Sequence, residues 1–223
     1  MNGVADAMRD GGLFMWPILV VAVLGCTVAL DRLHYVFLRA GIHAPAFMAQ
    51  VQRAVLDGTP EQAVRLCNSQ PTAALPRVLK AGLVRAGRPE AEVRDAMEEE
   101  QLEVTPLVRR RIGYLPMLAG VSILLGLLGT VDGFILAVNA IQIAAEIKPI
   151  TLAAGIAVAM YPTFFGLLVS VPLLLAHGLV SARANAILEE NDLYAVKLLN
   201  LLNATRQRPG SQGGGAPVLP FPL

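Results

Sequence analysis

Thr130 and Thr163 are the side chains of this 223-residue chain that most clearly set hydroxyl chemistry inside apolar sequence. A hydroxyl both donates and accepts a hydrogen bond. Each threonine lies in a long apolar stretch, where lipid makes polar groups expensive and marks them as functional candidates. A short polar gap holding Glu146 and Lys148 separates the two stretches. If the chain reverses near residue 147, a rise of about 1.5 Å per residue puts both threonines roughly 25 Å from the reversal, at one depth. For Thr130 alone, a bond to its own helix carbonyl is the ordinary arrangement. The second threonine at the same level is what points to a shared polar lining.

Gly126, Gly129 and Gly133 surround Thr130 with the smallest residue type, which predicts close approach of a neighbouring helix. Asp132 is the one charged residue inside an apolar span. It lies about 200° around the helix from Thr130, so the two side chains face different directions. A carboxylate inside a span is a functional candidate, and the plain alternative is a structural role in which Asp132 meets water or Ser/Thr partners.

The chain carries no glycine-rich phosphate loop, no H-E-x-x-H, no nucleophile elbow and no His/Cys cluster. His34, His43 and His177 are scattered, and Cys26 and Cys67 have no metal-ligand companions. No catalytic residue, no metal and no cofactor are expected, and neither is a disulfide. The residues Val23-Leu24-Gly25-Cys26 resemble a lipoprotein cleavage box. The apolar run continues past Cys26 through Leu30, which argues against cleavage there.

The elements that position the threonines follow from the composition. Hydrophobic residues make up 55% of the chain and charged residues 16%, with a mean hydropathy of +0.57. A soluble domain carries about 25% charged residues, so a compact soluble enzyme is excluded. A net charge of +1 supplies no basic field for nucleic acid. Apolar runs of about 20 residues are long enough to span as helices. The fold class is therefore an all-α membrane protein with three transmembrane helices and a helical cytoplasmic domain, the second and third spans forming a long hairpin.

The expected organisation is a periplasmic N-terminus over 1–10 and a first span over 11–30. A cytoplasmic helical domain follows over 31–111, and the second span with its extensions occupies 112–145. A periplasmic turn at 146–149 leads to a third span over 150–180, a cytoplasmic helix over 181–206 and a disordered tail over 207–223. Twelve Lys and Arg lie between Arg32 and Arg111 and four follow the third span, leaving only Arg9 and Lys148 for the other face. Positive residues stay inside, so the N-terminus is periplasmic and the C-terminus cytoplasmic.

Within the cytoplasmic stretch, Phe47, Val51, Val55 and Leu56 recur at helical spacing. So do Ala63, Val64 and Cys67, then Leu75, Val78, Leu79 and Leu83. From Glu90, through Val93, Met97, Leu102 and Leu107, the pattern predicts one long helix continuing into the second span. Glu98 to Glu100 and Arg109 to Arg111 read as solvated faces, with pairing between subunits as the sharper alternative. Ile187, Leu188, Leu193, Val196, Leu199 and Leu202 give a separate amphipathic helix from Ser181 to Thr205.

Gly126-Leu127-Leu128-Gly129-Thr130-Val131-Asp132-Gly133 resembles the G-L-L-G-T-V-x-G motif of the MotA/TolQ/ExbB ion-channel family. Gly155-Ile156, Ala159, Thr163, Gly166-Leu167 and Pro172 are similar to its third-span pattern. Gly11-Gly12, Met15-Trp16-Pro17 and Asp31-Arg32-Leu33 are similar to its first span. The resemblance implies a homopentamer in the bacterial inner membrane, with the second and third spans around a central pore. It further implies a dimer of a single-span ExbD/TolR/MotB-like partner in that pore, supplying an aspartate that carries H+ or Na+ past Thr130 and Thr163. The function implied is that of a stator-type subunit coupling ion flow to mechanical work on the envelope. Many family members have a glutamate where this chain has Val158, which makes Asp132 a candidate ion-handling or intersubunit carboxylate in its place, and the proline usual before G-L-L-G is Ile123. Those departures keep open a non-conducting scaffold of the same fold that organises envelope proteins.

Overall fold

The computed structural model describes residues 12–144 and 149–206. The N-terminus over 1–10, Glu146, Lys148 and the tail over 207–223 lie outside the described residues. Seven α-helices are described: α1 Met15–His34, α2 Ala44–Leu56, α3 Pro60–Asn68, α4 Ala74–Val84, α5 Glu90–Arg109, α6 Tyr114–Ala144 and α7 Pro149–Arg206. A π-helical stretch, Tyr35–Ala40, follows α1. The chain divides into two compact units, one built from Met1–Arg39 and Leu107–Ala186, the other from Ala40–Pro106 and Ile187–Leu223.

The first unit contains α1, α6 and most of α7, and three of the described helices are long and apolar enough to cross a membrane. A left-handed turn at Gly12, φ +74°, precedes α1. Pro17 follows in the first helical turn, where its missing N–H costs nothing. Met15, Ile18, Val21 and Gly25 fall on one face and are buried, while Trp16, Val20, Val23 and Leu24 are exposed. At Gly25 a Cβ would come within 2.6 Å of Leu173 Cδ1, so this residue lets α1 and α7 meet closely.

The helix expected to run unbroken from Glu90 into the second span is two helices. It breaks over Arg110–Gly113, with Arg111 at φ +62°. The break is held by charge. Arg32 is 7% exposed and donates from Nη1 to the Arg110 carbonyl at 3.1 Å, satisfying an oxygen at the end of α5 that has no helical partner. Asp31 lies 2.7 Å from the Arg32 guanidinium and 3.7 Å from that of Arg111. Arg109 reaches Asn185 at 3.2 Å. Two of the three arginines read as a solvated run thus bind within their own chain.

A second difference concerns α7, which continues without a break past Ser181 where a separate helix was expected. Pro162 and Pro172 lie inside it. In lipid-facing helices such prolines are tolerated because neighbouring groups satisfy the freed backbone, and from Ser181 to Arg206 the sequence holds no glycine or proline to end the helix.

The second unit has its own core, formed by Phe47, Val51, Ala63, Cys67, Val78, Leu79, Val93, Met97, Leu198 and Leu202 among others. Burial pushes the Cys67 thiol up to about 11. Five residues assigned by periodicity to the apolar faces are instead exposed: Leu56, Leu102, Leu107, Leu193 and Val196. Glu99 pairs with Arg85, just past the end of α4, at 4.0 Å and Glu100 with Arg77 of α4 at 2.6 Å, so part of the acidic run is also used inside the chain.

Candidate functional site

The site lies in the first unit, where α6 and α7 run antiparallel with almost nothing between their backbones. Ser122, Gly126, Gly129, Gly133 and Ala137 of α6 form a stripe at helical spacing that meets Gly166, Thr163, Pro162, Ala159 and Gly155 of α7. A Cβ at Gly126 would stand 2.8 Å from the Pro162 carbonyl oxygen, and one at Gly133 would stand 2.7 Å from Ala159 Cα. At Gly129 it would collide with the Pro162 ring. Gly166 is the reciprocal case, its Cβ position 2.7 Å from the Ser122 carbonyl oxygen.

Close approach brings hydroxyls within reach of the opposite backbone. Ser122 Oγ donates to the Gly166 carbonyl at 3.1 Å, and Thr163 Oγ1 donates across to the Gly126 carbonyl at 2.9 Å. Thr130 Oγ1 reaches the same Gly126 carbonyl at 2.9 Å, one turn back along its own helix. The two threonine hydroxyls also hydrogen-bond to each other. Thr130 therefore has both the ordinary same-helix bond and a cross-helix partner.

Three contacts share two hydroxyl hydrogens, so the triangle has alternative patterns. Either Thr130 donates to Thr163 and Thr163 to the carbonyl, or the order is reversed. Interchange needs only rotation of the hydroxyls.

Asp132 is half-buried and, among the described residues, has no hydrogen-bond or ion-pair partner. It is not drawn into the threonine pair. Phe14, just before α1, lies against Gly129, where a Cβ would be 3.2 Å from the Phe14 Cβ. The threonines thus sit level with the start of α1, about 24 Å along α6 from its first residue, Tyr114. Beyond that level α6 continues for about 20 Å, and there Phe134, Ile135, Leu136 and Met160 are exposed.

Ser122, one of the few polar residues inside the second span, and Gly166 of the third-span pattern also belong to the site, in a pairing that the sequence reading did not assign. The signal was present, since Ser122 stands four residues before Gly126 on the same small-residue stripe.

The profile of the MotA/TolQ/ExbB proton channel family matches residues 70–192, more than half of the chain and all of α6. The chain belongs to the MotA/TolQ/ExbB proton channel family. With three helices able to cross a membrane, this family member is a multi-pass inner-membrane protein. An ExbB homologue of Methanothermobacter thermautotrophicus, named for biopolymer transport, is 26% identical over 190 residues, covering 85% of this chain and 67% of the relative. An ExbB-like protein of Synechocystis sp., also named for biopolymer transport, is 32% identical over 173 residues, covering 74% of this chain and 66% of the relative. The chain thus spans about two thirds of the length of both. The solved structure of C. jejuni MotAB shares the fold, with a TM-score of 0.63 at 20% identity, covering 83% of this chain and 75% of that one.

Proposed function

We propose that this chain is the stator-type subunit of an inner-membrane motor that couples proton or sodium flow to mechanical work on the cell envelope. The observation that carries the reading is the Thr130–Thr163 pair on one shared carbonyl. In either hydrogen-bond pattern a lone pair remains to accept from a protonated carboxyl group. After that group loses its proton, a hydroxyl turns to donate to the carboxylate. A partner aspartate passing this level can then change charge with little rearrangement around it.

The partner in this reading is a dimer of a single-span ExbD/TolR/MotB-like protein threaded through a ring of five copies. The α6–α7 hairpin of each copy faces the pore, with the N-terminus periplasmic and the C-terminus cytoplasmic. The ring is supported by the apolar length of α6 and α7. α6, Tyr114–Ala144, extends about 46 Å against a hydrocarbon layer of about 30 Å, and neighbouring copies can cover what lipid does not. The shared fold with a MotAB assembly supports the partner class.

Asp132 stands about 27 Å along α6 from Tyr114, where the helix begins after the Arg110–Gly113 break. If the Asp31–Arg32–Arg111 cluster marks the cytoplasmic boundary, its carboxylate lies at the opposite boundary of the hydrocarbon, where an incoming cation first meets the ring. Asp132→Asn is expected to lower ion-dependent work severalfold or change its ion dependence without disturbing assembly. Growth or motility assays in proton and sodium media check this, and full activity of the Asn variant rejects an ion-handling role.

The reading is tested by expressing the chain with each single-span protein encoded beside it and purifying the complex. Copurification with a protein whose span carries an aspartate, together with ion flux in vesicles, is the expected result. A stable ring that has no such partner and passes no ions would replace the motor with the scaffold.

A further inference from the structure

The second unit carries a groove that its described residues leave uncovered. It lies between α5 and α7 and holds about 510 Å³. Met97 and Leu199, both buried, form its floor, and Leu102 and Val196, 77% and 57% exposed, stand at its mouth. The groove runs from Arg94 to Leu102 on α5 and from Asp192 to Asn200 on α7, about 12 Å of helix in each case. An extended proline-type segment advances about 3.1 Å per residue, so about four residues fill that length.

The sequence beyond α7 contains a segment of that kind. Gln207 to Gly215 is polar with four glycines, and Ala216 to Leu223 is made only of Ala, Pro, Val, Leu and Phe. Apolar side chains are scarce in segments that stay solvated, whereas proline-rich segments dock in apolar grooves at low entropic cost. Arg206, the last residue of α7, donates to the carbonyls of Ala86 and Arg88 just before α5, which fixes the point from which the segment starts. From that point the two ends of the groove lie about 9 and 21 Å back along α7. Eleven residues, 207–217, have a root-mean-square span of about 17–20 Å as a flexible chain. Tether and distance match, the condition for a high effective concentration.

We propose that Val218–Phe221 docks in the α5–α7 groove of its own subunit and covers Leu102 and Val196. The inference goes beyond the channel reading and stands or falls separately from it. The test is disulfide formation in the full chain in vesicles, with Cys26→Ala removing the exposed native thiol while the buried Cys67 stays. Leu219→Cys is paired with Leu102→Cys in the groove, or with Glu103→Cys, which stands beside Arg77 of α4. The two positions adjoin, so an undocked segment reaches both alike. Docking is expected to close the Leu102 pair at least about tenfold faster, within one chain. Val218→Ser with Phe221→Ser is expected to lower that rate to the Glu103 level. Equal rates for the two pairs, as for a segment held in lipid or by another protein, overturn the proposal, as does a serine variant that keeps the fast rate. A Leu102 disulfide that forms only between chains gives the groove to a neighbouring copy's segment and overturns it too. If the Leu102→Cys chain fails to assemble, Val196→Cys takes its place.

Discussion

Replacing Thr130 and Thr163 together with valine is expected to abolish ion-driven work while leaving the fold almost intact. Valine keeps the branched shape of threonine and removes only the hydroxyl. The Gly126 carbonyl is not orphaned by the change, because it remains the acceptor of the backbone N–H four residues on in α6. The stability cost is then about that of two ordinary hydrogen bonds, roughly 1 kcal/mol each. Function is far more sensitive. A hydroxyl facing a charged group contributes about 1.5–3 kcal/mol, so each valine is expected to slow transport roughly 10- to 100-fold and the pair to eliminate it. Serine at both positions keeps the hydroxyls and should retain most of the activity. Thermal unfolding of the purified ring and envelope work in cells with the partner gene separate the two effects. Unchanged work in the double valine variant would remove the threonines from the ion path.

The threonine pair was legible because it depends on quantities that a sequence contains: the place where charges interrupt an apolar run, and the rise of a helix. Counting from the gap at Glu146 and Lys148 sets both hydroxyls at one level, and the structure brings them into contact. Which acceptor they share was not legible. The Gly126 carbonyl enters the site because Gly126 and Gly166 let the backbones close, and a carbonyl carries no residue-specific signal. The break after Arg109 was hidden for a related reason. Periodicity reads apolar spacing, whereas the break is decided by Arg32 reaching the Arg110 carbonyl and by Asp31 attracting Arg111. In the same way, periodicity assigned Leu102 and Val196 to apolar faces without knowing which neighbours would cover them. Both are exposed, because helical spacing says which residues share a face but not whether another element packs on it.

Gly126→Val is expected to be strongly disruptive, and the reason is what its Cβ would meet. The nearest atoms are the Pro162 carbonyl oxygen at 2.8 Å, Thr163 Cα at 3.1 Å and Gly166 Cα at 3.4 Å, all of them backbone. A crowded side chain can change rotamer, but a crowded backbone moves only if the helix moves. Separating α6 from α7 by even 1 Å at this level stretches two cross-helix bonds beyond useful length, Thr163 to Gly126 and Ser122 to Gly166, from their present 2.9 and 3.1 Å. Overpacking alone costs about 1–3 kcal/mol, and the loss of two bonds adds roughly 1 kcal/mol each. Gly120 provides the control on the same helix. A Cβ there meets nothing within 4 Å, so Gly120→Ala should be neutral or should stabilise the helix by up to about 1 kcal/mol. Thermal unfolding of both variants in the same detergent makes the comparison. A Gly126→Val protein that melts with the parent would mean that α6 and α7 do not meet at this glycine, and the threonines would then have no shared carbonyl to bind.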